Sequence, residues 1–536
     1  MGYAHEYADA VLHRGRVPME PADFVPDWAD APRKGKFYPG VEPYALPDGD
    51  DRADAPVARG LLPPDGTPYD GRFTLPLLAA MLKDSYGLTG RRLGIQANSD
   101  LAGLPFHTHA NWSRGTAGGG GLYPVSIYWA SGPSGPLTPG IHHYDVHRHA
   151  VQRLLTGDVT DRVREALGPL APAEALETDQ YLVLGVKYWQ NTFKYNSFSY
   201  HVVCTDLGTV VQTWKIWAAA RGLRTAPVLW FDEPRLNGLL GTTGTEEAVF
   251  AVVPLRWEGG HGGPPRTGGT SGTPDPAVRH RDAERSRTVL EFPTVRAMHA
   301  ATTERAAERP APGALAPAAA LPAPAGGTRV PLPAPAFPGT PVRRVLRERR
   351  SSFGRFDAAR PVTPAQLSAV LAACAATTLD SDADPAGTVR LARLYAFVNH
   401  VEGVEPGAYA YDPDDGALRL VEPGAPGAFL QDTYFLANYN LEQAGAVLVP
   451  TVRTTAVLDA VGDRGYRLAV GTAGAVAQTF YVAAAALELG AGVALGFDNI
   501  AHIEKLGLGD GDEAPLLIMP LGNERPRPAD FRHEIA

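Results

Sequence analysis

A chain of 536 residues, 44% hydrophobic and 20% charged, holds enough apolar sequence for more than one packed domain. A formal net charge of −9 argues against a nucleic-acid partner, which needs a basic footprint. Only Cys204 and Cys374 occur, far apart, so neither a disulfide framework nor a structural zinc site is expected.

The N-terminus has no apolar core of signal-peptide length, and Glu6 stands where a myristoylation signal needs Ser or Thr. Residues 1–58 are rich in Pro, Asp and aromatics with little periodicity, and 36–47 read as an extended arm over a domain surface. Residues 74–86 carry Leu75, Leu78, Met81 and Leu82 at helical spacing. His107 and His109 precede a glycine run at 118–121, where backbone N–H groups can approach a ligand closely. Residues 122–130, 142–144 and 180–188 read as strands. Then comes KYWQNTFKYNSFSYHVVCTDLG, residues 187–208. Within it Lys194 stands beside Tyr195, among Trp189, Phe193, Phe198 and Tyr200. Desolvation lowers the proton affinity of a lysine, and a nearby ammonium eases deprotonation of a tyrosine. Such a pair can serve as a general base near neutral pH; a surface charge beside a core aromatic is the competing reading.

Val210, Val211, Trp214, Trp217 and Ala218 mark a core-facing helix, followed by strands at 228–231 and 248–254. Residues 257–276 are Gly/Pro/Thr-rich and read as loop or linker, 279–307 as a charged helical excursion, and 310–341 as a Pro/Ala-rich, semi-rigid spacer. After it the pattern begins again. Tyr200, Gly208, Gln212, Phe231, Asp232 and Pro254 recur 266 residues later as Tyr466, Gly474, Gln478, Phe497, Asp498 and Pro520. Pro139-Gly140 and Tyr144-Asp145 recur at offset 267 as Pro406-Gly407 and Tyr411-Asp412. The chain therefore reads as two copies of one α+β domain: an arm at 1–58, a first copy at 59–257, a linker at 258–341 and a second copy at 342–536. The longest apolar run, 480–497, is interrupted by Glu488 and three glycines, and reads as a buried helix and strand. A cytoplasmic protein without a membrane partner is expected.

The second copy opens with RERRSSFGRF, residues 347–356, ahead of a helix from Thr363. Arg349, Arg350 and Ser351 suit a phosphate, which guanidinium forks and a hydroxyl can share; a solvated basic turn is the alternative.

Arg349-Arg350-Ser351, the helix bearing Gly474 and Gln478, Gly496-Phe497-Asp498 and Pro520-Leu521-Gly522 resemble the flavin-binding nitroreductase superfamily. The first half is similar to its SagB-type branch, the azoline dehydrogenases of ribosomal peptide natural products, thiopeptide-like pathways in particular. The matching features are the Lys36…Leu46-Pro47 arm, the Arg114…Leu122-Tyr123-Pro124 loop, Lys194-Tyr195 and Asp206-x-Gly208. The resemblance implies two tandem nitroreductase-like domains, each an antiparallel-type sheet flanked by helices, forming an intramolecular pseudo-dimer. It implies an FMN enzyme that oxidises thiazolines or oxazolines of a precursor peptide, beside the cyclodehydratase components of its pathway. Lys194 and Tyr195 would jointly be the base. Arg349, Arg350 and Ser351 would hold the phosphate, with Arg525 or Arg527 from the tail. Arg114, Gly118, Gly119, Leu495 and Gly496 would approach the ring, and Gln212 would hydrogen-bond near it. Two rivals stand beside this reading: a general NAD(P)H-dependent nitroreductase, and a flavin-free scaffold that recruits peptide to a cyclodehydratase.

The copies depart from the pattern in complementary ways. Offset 289, from Leu78/Leu367 and Leu82/Leu371, puts Gly60-Leu61-Leu62 where Arg349-Arg350-Ser351 stand. Offset 266 puts Ala460-Val461 at Lys194-Tyr195, and offset 267 puts Ser381 at Arg114. One composite site is expected, with phosphate held by the second copy and loop and base from the first. Its mirror image is expected to be empty, because a buried phosphate without an arginine is costly. A zinc site at His142, His143, His147 and His149 is disfavoured, since the repeat aligns that stretch with the metal-free YAYDPDDG of the second copy. Cys204 reads as core. No Lys-Ser/Thr follows the glycine run, so it is not a P-loop.

Overall fold

The computed structural model describes residues 2–48, 55–64, 66–96, 100–101, 106–107, 111–260, 276–509, 512–526 and 530–535. At its centre two long helices, Ser199–Ala219 and Gly465–Ala486, lie against each other. Glycines set how close they come. A Cβ on Gly208 would overlap the carbonyl oxygen of Gly471, and a Cβ on Gly474 would overlap that of Thr205. Gly471 is Thr205 shifted by 266 and Gly474 is Gly208 shifted by 266, so the crossing is a pseudo-twofold. Side chains at a helix crossing fix the interaxial distance, and only a missing Cβ allows backbones to touch. By length and apolar composition the Gly465–Ala486 helix matches a membrane span, but 94% of its most apolar window is buried in this core.

A sheet covers each side of the helix pair. In the first copy six strands run in the order Pro43–Ala45, Ala150–Thr156, Gly140–Asp145, Val125–Ser131, Gln180–Lys187, Glu247–Pro254, every neighbour antiparallel. Alternation sorts the side chains: Val125, Ile127 and Trp129 join the central core, while Tyr128 and Ala130 face a smaller cluster on the far side. The second copy repeats the arrangement with Arg329–Pro331, Ala417–Pro423, Gly407–Asp412, Ala392–Val398, Ala446–Val452, Met519–Gly522 and Gly490–Ala491; Ala514–Pro515 also pairs with Ala446–Val452. Even an irregularity repeats. The register shifts between Ile141 and His142, and again 267 residues later between Ala408 and Tyr409. The fold is thus the expected tandem α+β pair. A third sheet joins the copies: tail strand Asp530–Glu534 pairs with Gly90–Gln96 of an insertion in the first copy.

Several elements differ from the sequence expectation. Residues 228–231 form no strand beyond an isolated Val228–Val252 bridge. The N–H groups of Leu229 and Trp230 donate instead to the Asp382 carboxylate of the second copy, at 2.7 and 3.2 Å. Residues 3–13 form a helix, Tyr3–His13, that buries Ala4, Tyr7 and Val11. The excursion at 279–307 is helical only over Pro293–Glu304. From residue 276 on, the segment read as linker is a packed strap: Val278, Phe292, Val295, Met298, Leu315 and Ala318 are buried, and Arg329–Pro331 adds an edge strand to the second sheet.

The copies are also locked by charge. Glu233 of the first copy accepts from Arg464 and Arg467 of the second, each at 2.8 Å, with all three side chains buried. Thr302 of the strap completes the network, accepting from Arg467 at 3.1 Å.

Candidate active site

The stretch 187–208 folds as a short helix, Trp189–Tyr195, a 3-10 turn, Asn196–Phe198, and then the first long helix. The helix breaks at Asn196, whose φ of 42° and ψ of −129° lie outside both the right-handed and the left-handed helical wells. Trp189 anchors the short helix by donating to Ser286 Oγ at 2.9 Å and packing edge-on to Phe193. Lys194 and Tyr195 therefore end the short helix half-buried, aimed at the glycine run. A Cβ built on Gly120 would lie 2.7 Å from both Lys194 Nζ and Tyr195 OH. With φ at 60° as well, position 120 admits only glycine without strain. The two groups converge on one point.

Both copies grip this loop. From the first, Asp206 Oδ1 accepts the Gly119 N–H at 2.7 Å and Thr209 Oγ1 donates to Ala117 O at 2.9 Å. From the second, Gln478 Oε1 accepts the Ala117 N–H at 3.0 Å, and its Nε2 donates to Gly115 O at 3.2 Å. Arg349 donates to Gly115 O and Arg114 O at 2.9 and 3.0 Å, and its guanidinium lies 5.0 Å from the Tyr481 ring centroid. Ser351 Oγ shares a 2.8 Å hydrogen bond with Tyr481 OH. Arg349 and Ser351 thus stand beside the loop that carries the Lys194-Tyr195 convergence point.

Other expected site residues are placed differently. Arg350 is engaged by Glu524 at 2.9 Å, and Arg525 by Asp100 at 3.0 Å. Arg527 lies outside the described residues, as do His109 and the His107 side chain. Arg114 meets Arg349 only through its carbonyl; its guanidinium sits over Tyr86 and Tyr123, at 4.6 and 4.1 Å, and donates to Lys34 O of the arm. Gln212 does not reach the loop; it donates to Thr479 Oγ1 at 2.9 Å. The pseudo-twofold makes each glutamine face the opposite copy, so Gln478 holds the first-copy loop. Leu495 O accepts from Arg14, whose guanidinium covers the Phe198 ring at 4.3 Å; Phe198 in turn packs against Tyr195. Gly496 O accepts from Phe435 N at 3.0 Å.

The structure also corrects the register of the repeat. Val57–Leu61 and Val342–Glu348 both begin after a Pro56–Pro341 bridge, an offset of 285, so residues 64–66 and not Gly60-Leu61-Leu62 correspond to Arg349–Ser351. The arginines are missing from the first copy either way. Thr116 bonds Thr213 as Thr377 bonds Thr479, each at 2.9 Å, which puts Ala375 and not Ser381 in the place of Arg114. The offset fails there because the second copy is six residues longer between Thr377 and Gly407 than the first is between Thr116 and Gly140. Ala460-Val461 do end the helix Thr454–Val461 as Lys194-Tyr195 end theirs. On the mirror side, Lys215 replaces Tyr481 and pairs with Asp380 at 2.7 Å.

Electrostatics refine the roles. Burial, then the charge of Lys34, lowers the proton affinity of Lys194. Burial, then Asp206, pushes the Tyr195 phenol up, so the expected easing of its deprotonation is not found. Desolvation outweighs a neighbouring ammonium here. Burial also pushes Asp206 up to about 7, against the Gly119 N–H. Sequence reading used Asp206 only as a marker; a carboxylate within the apolar run VVCTDLG was the available signal.

The residues fit an anionic cofactor. Arg347 Nε and Nη2 and Arg355 Nη1, which bracket Arg349–Ser351, are buried without a hydrogen-bond acceptor. Buried donors of this kind are costly unless a ligand takes them. Among the described residues no group of three or more metal-ligating side chains gathers: His142 bonds Thr138 O, and His149 bonds Tyr144 OH and Pro47 O. Burial pushes the Cys204 thiol up to about 12, as for a core residue.

A model of the nitroreductase family matches residues 346–523. MJ1384 of Methanocaldococcus jannaschii, a protein described as a nitroreductase, is 33% identical over 196 residues, which span 34% of this chain and 87% of that protein. A crystal structure from Anabaena variabilis, described as a nitroreductase, superposes with a TM-score of 0.70 and 21% identity, covering 98% of this chain and all of the other. A chain of the Escherichia coli microcin synthetase McbBCD complex, with truncated pro-MccB17 bound, aligns over 33% of this chain and 70% of its own, at 19% identity and a TM-score of 0.29. The Anabaena likeness shows the fold across both copies. The 33% identity to the archaeal protein spans 87% of it, and by that this chain belongs to the nitroreductase family.

Proposed function

We propose that the chain is an FMN-dependent azoline dehydrogenase, which converts thiazolines or oxazolines of a ribosomally made peptide into thiazoles or oxazoles. The observation that supports it best is the convergence of Lys194 Nζ and Tyr195 OH on Gly120, in a loop gripped from behind by Arg349 and Gln478 of the other copy. A base and an anion clamp thereby meet across one loop. The azoline substrate, and work beside cyclodehydratase components, rest on the likeness of the first half to SagB-type dehydrogenases.

Arg349 and Ser351, with Tyr481 beside them, would hold the FMN phosphate, and the unpaired nitrogens of Arg347 and Arg355 would add donors. Bound there, FMN would supply the two-electron acceptor that takes the hydride of the ring being oxidised. Lys194 serves as the base that takes the Cα proton, because burial and Lys34 favour its neutral amine. Tyr195 stays a neutral phenol and orients the ring as a hydrogen-bond donor.

The test is turnover of a thiazoline-containing peptide, read by mass spectrometry as loss of two hydrogens alongside the flavin spectrum. Lys194→Ala and Tyr195→Phe should each slow it by about 10²–10⁴ while the flavin stays bound. Near-normal turnover in both would return the pair to a surface charge and a core aromatic. Rapid NAD(P)H oxidation without peptide would favour a general nitroreductase instead.

A further inference from the structure

Asp206 is 4% exposed on the first long helix, among Val202, Val203 and Leu207. Its Oδ1 accepts the Gly119 N–H at 2.7 Å, and its Oδ2 is buried without a partner. A Cβ on Gly119 would lie 3.6 and 3.8 Å from the two oxygens, so the carboxylate spans one face of that residue. Lys194 Nζ and Tyr195 OH close on the next residue, Gly120. The titratable groups around it are few. Its charge reaches Tyr195 and, from the helix Leu75–Ser85 side, Tyr86. Lys194 approaches from the short helix, with Lys34 behind it, and Arg114 stands beyond Tyr86. The facing turn of the second long helix, residues 471–475, is GTAGA and carries none. No cation forms an ion pair with Asp206 among the described residues. An unpaired buried carboxyl is costly. The second copy avoids that cost: Thr472 stands there, and its hydroxyl bonds Leu468 O within its own helix. The acid occurs only in the copy that keeps the loop and the Lys-Tyr pair.

We propose that Asp206 is the positioning residue of the base: it pins the Gly119-Gly120 turn beneath Lys194 and Tyr195, and its ionisation sets the charge beside which they work. This rests on the reading that Lys194 takes the substrate proton while Tyr195 orients the ring. Neutral Asp206 leaves the Tyr195 phenol free of a nearby negative charge; ionised Asp206 puts one within its reach, beside the turn on which Lys194 also closes. Turnover therefore has a step near neutral pH that belongs to Asp206.

Asp206→Asn keeps an oxygen for the Gly119 N–H and removes the charge; Asp206→Ala removes both. In flavin-free wild type, an infrared band of a protonated carboxylic acid is expected at pH 5, lost by pH 8.5 and absent from Asp206→Asn. The folded protein holds this proton up to about pH 7, whereas the unfolded chain releases it near the ordinary value of 3.8. The folded state thus binds more protons between these values, so wild-type stability relative to Asp206→Asn should fall as pH rises through that window and level off above it. In the loaded enzyme, flavin content should be unchanged in both variants. Asp206→Asn should lose the neutral pH step, and Asp206→Ala should lose up to about 10²-fold in kcat through misplacement of the turn. Active wild type with an unchanged pH profile and kcat in both variants overturns the proposal alone, as does absence of the infrared band. An inactive wild type overturns the azoline reading, and the proposal with it.

Discussion

Replacing Glu233 by Gln tests what holds the copies together. The side chain is fully buried and receives Arg464 and Arg467 at 2.8 Å each; those guanidiniums are 3% and 0% exposed. Gln keeps the shape but removes the charge, leaving two buried cations uncompensated. Breaking a buried pair by removing one member costs about 3–5 kcal/mol, a large part of the ~5–15 kcal/mol that stabilises a typical domain. Replacing all three residues by Met should cost much less, because no charge is then stranded. The assay is urea unfolding, with the slope held common so that the midpoint reports stability. Burial works to raise the Glu233 pKa, but Arg467 and Arg464 hold it below its ordinary value. The stabilisation is accordingly present above the ordinary carboxylate range and fades only as pH falls through the lowered folded value. A loss below about 1 kcal/mol in Glu233→Gln would refute the lock, since it would match an exposed pair.

Two further outcomes follow from the composite site. Arg349→Ala with Ser351→Ala should fold yet lose its flavin: charge-assisted hydrogen bonds are worth about 1.5–3 kcal/mol each, so affinity drops by orders of magnitude, and a double variant as yellow as wild type would remove the clamp assignment. Absorbance against protein concentration should give one FMN per chain, because Lys215 and Asp380 pair on the mirror side; two would sink the composite site, and none would sink the redox enzyme.

The repeat at offsets 266 and 267 was legible because strands and helices kept their lengths, down to a shared register shift. Thr363 announced its helix through a capping box with Gln366. The helix Tyr3–His13 was hidden because Ala4, Tyr7 and Val11 are too few apolar residues to show a period. Residues 228–231 look like a strand, yet Asp382, 151 or more residues away, takes the N–H groups a ladder would use. At the site, residue types suggested the pair and the clamp. A fixed offset shows which residues correspond but not which touch, and so Gln478 was passed over for Gln212. The burial that raises Asp206 is likewise a property of its surroundings, invisible in its type.

The helix crossing has a genetic consequence. In a dimer of separate identical chains every substitution is made twice, once on each side of the axis. Here Gly208 and Gly474 each face the other copy's backbone, so neither can drift, while residues away from the axis change singly. They have done so: Asp206 against Thr472, Tyr481 against Lys215, Lys194 against Ala460. The mouths have parted too. Arg464 reaches Leu229 O and Glu233 from within the second copy, whereas at the equivalent Leu495 O and Asn499 the arginine is Arg14, brought by the N-terminal helix. Two separate identical chains would present two like mouths; this chain presents one whose arginine comes from the second copy and one whose arginine comes from the N-terminal helix.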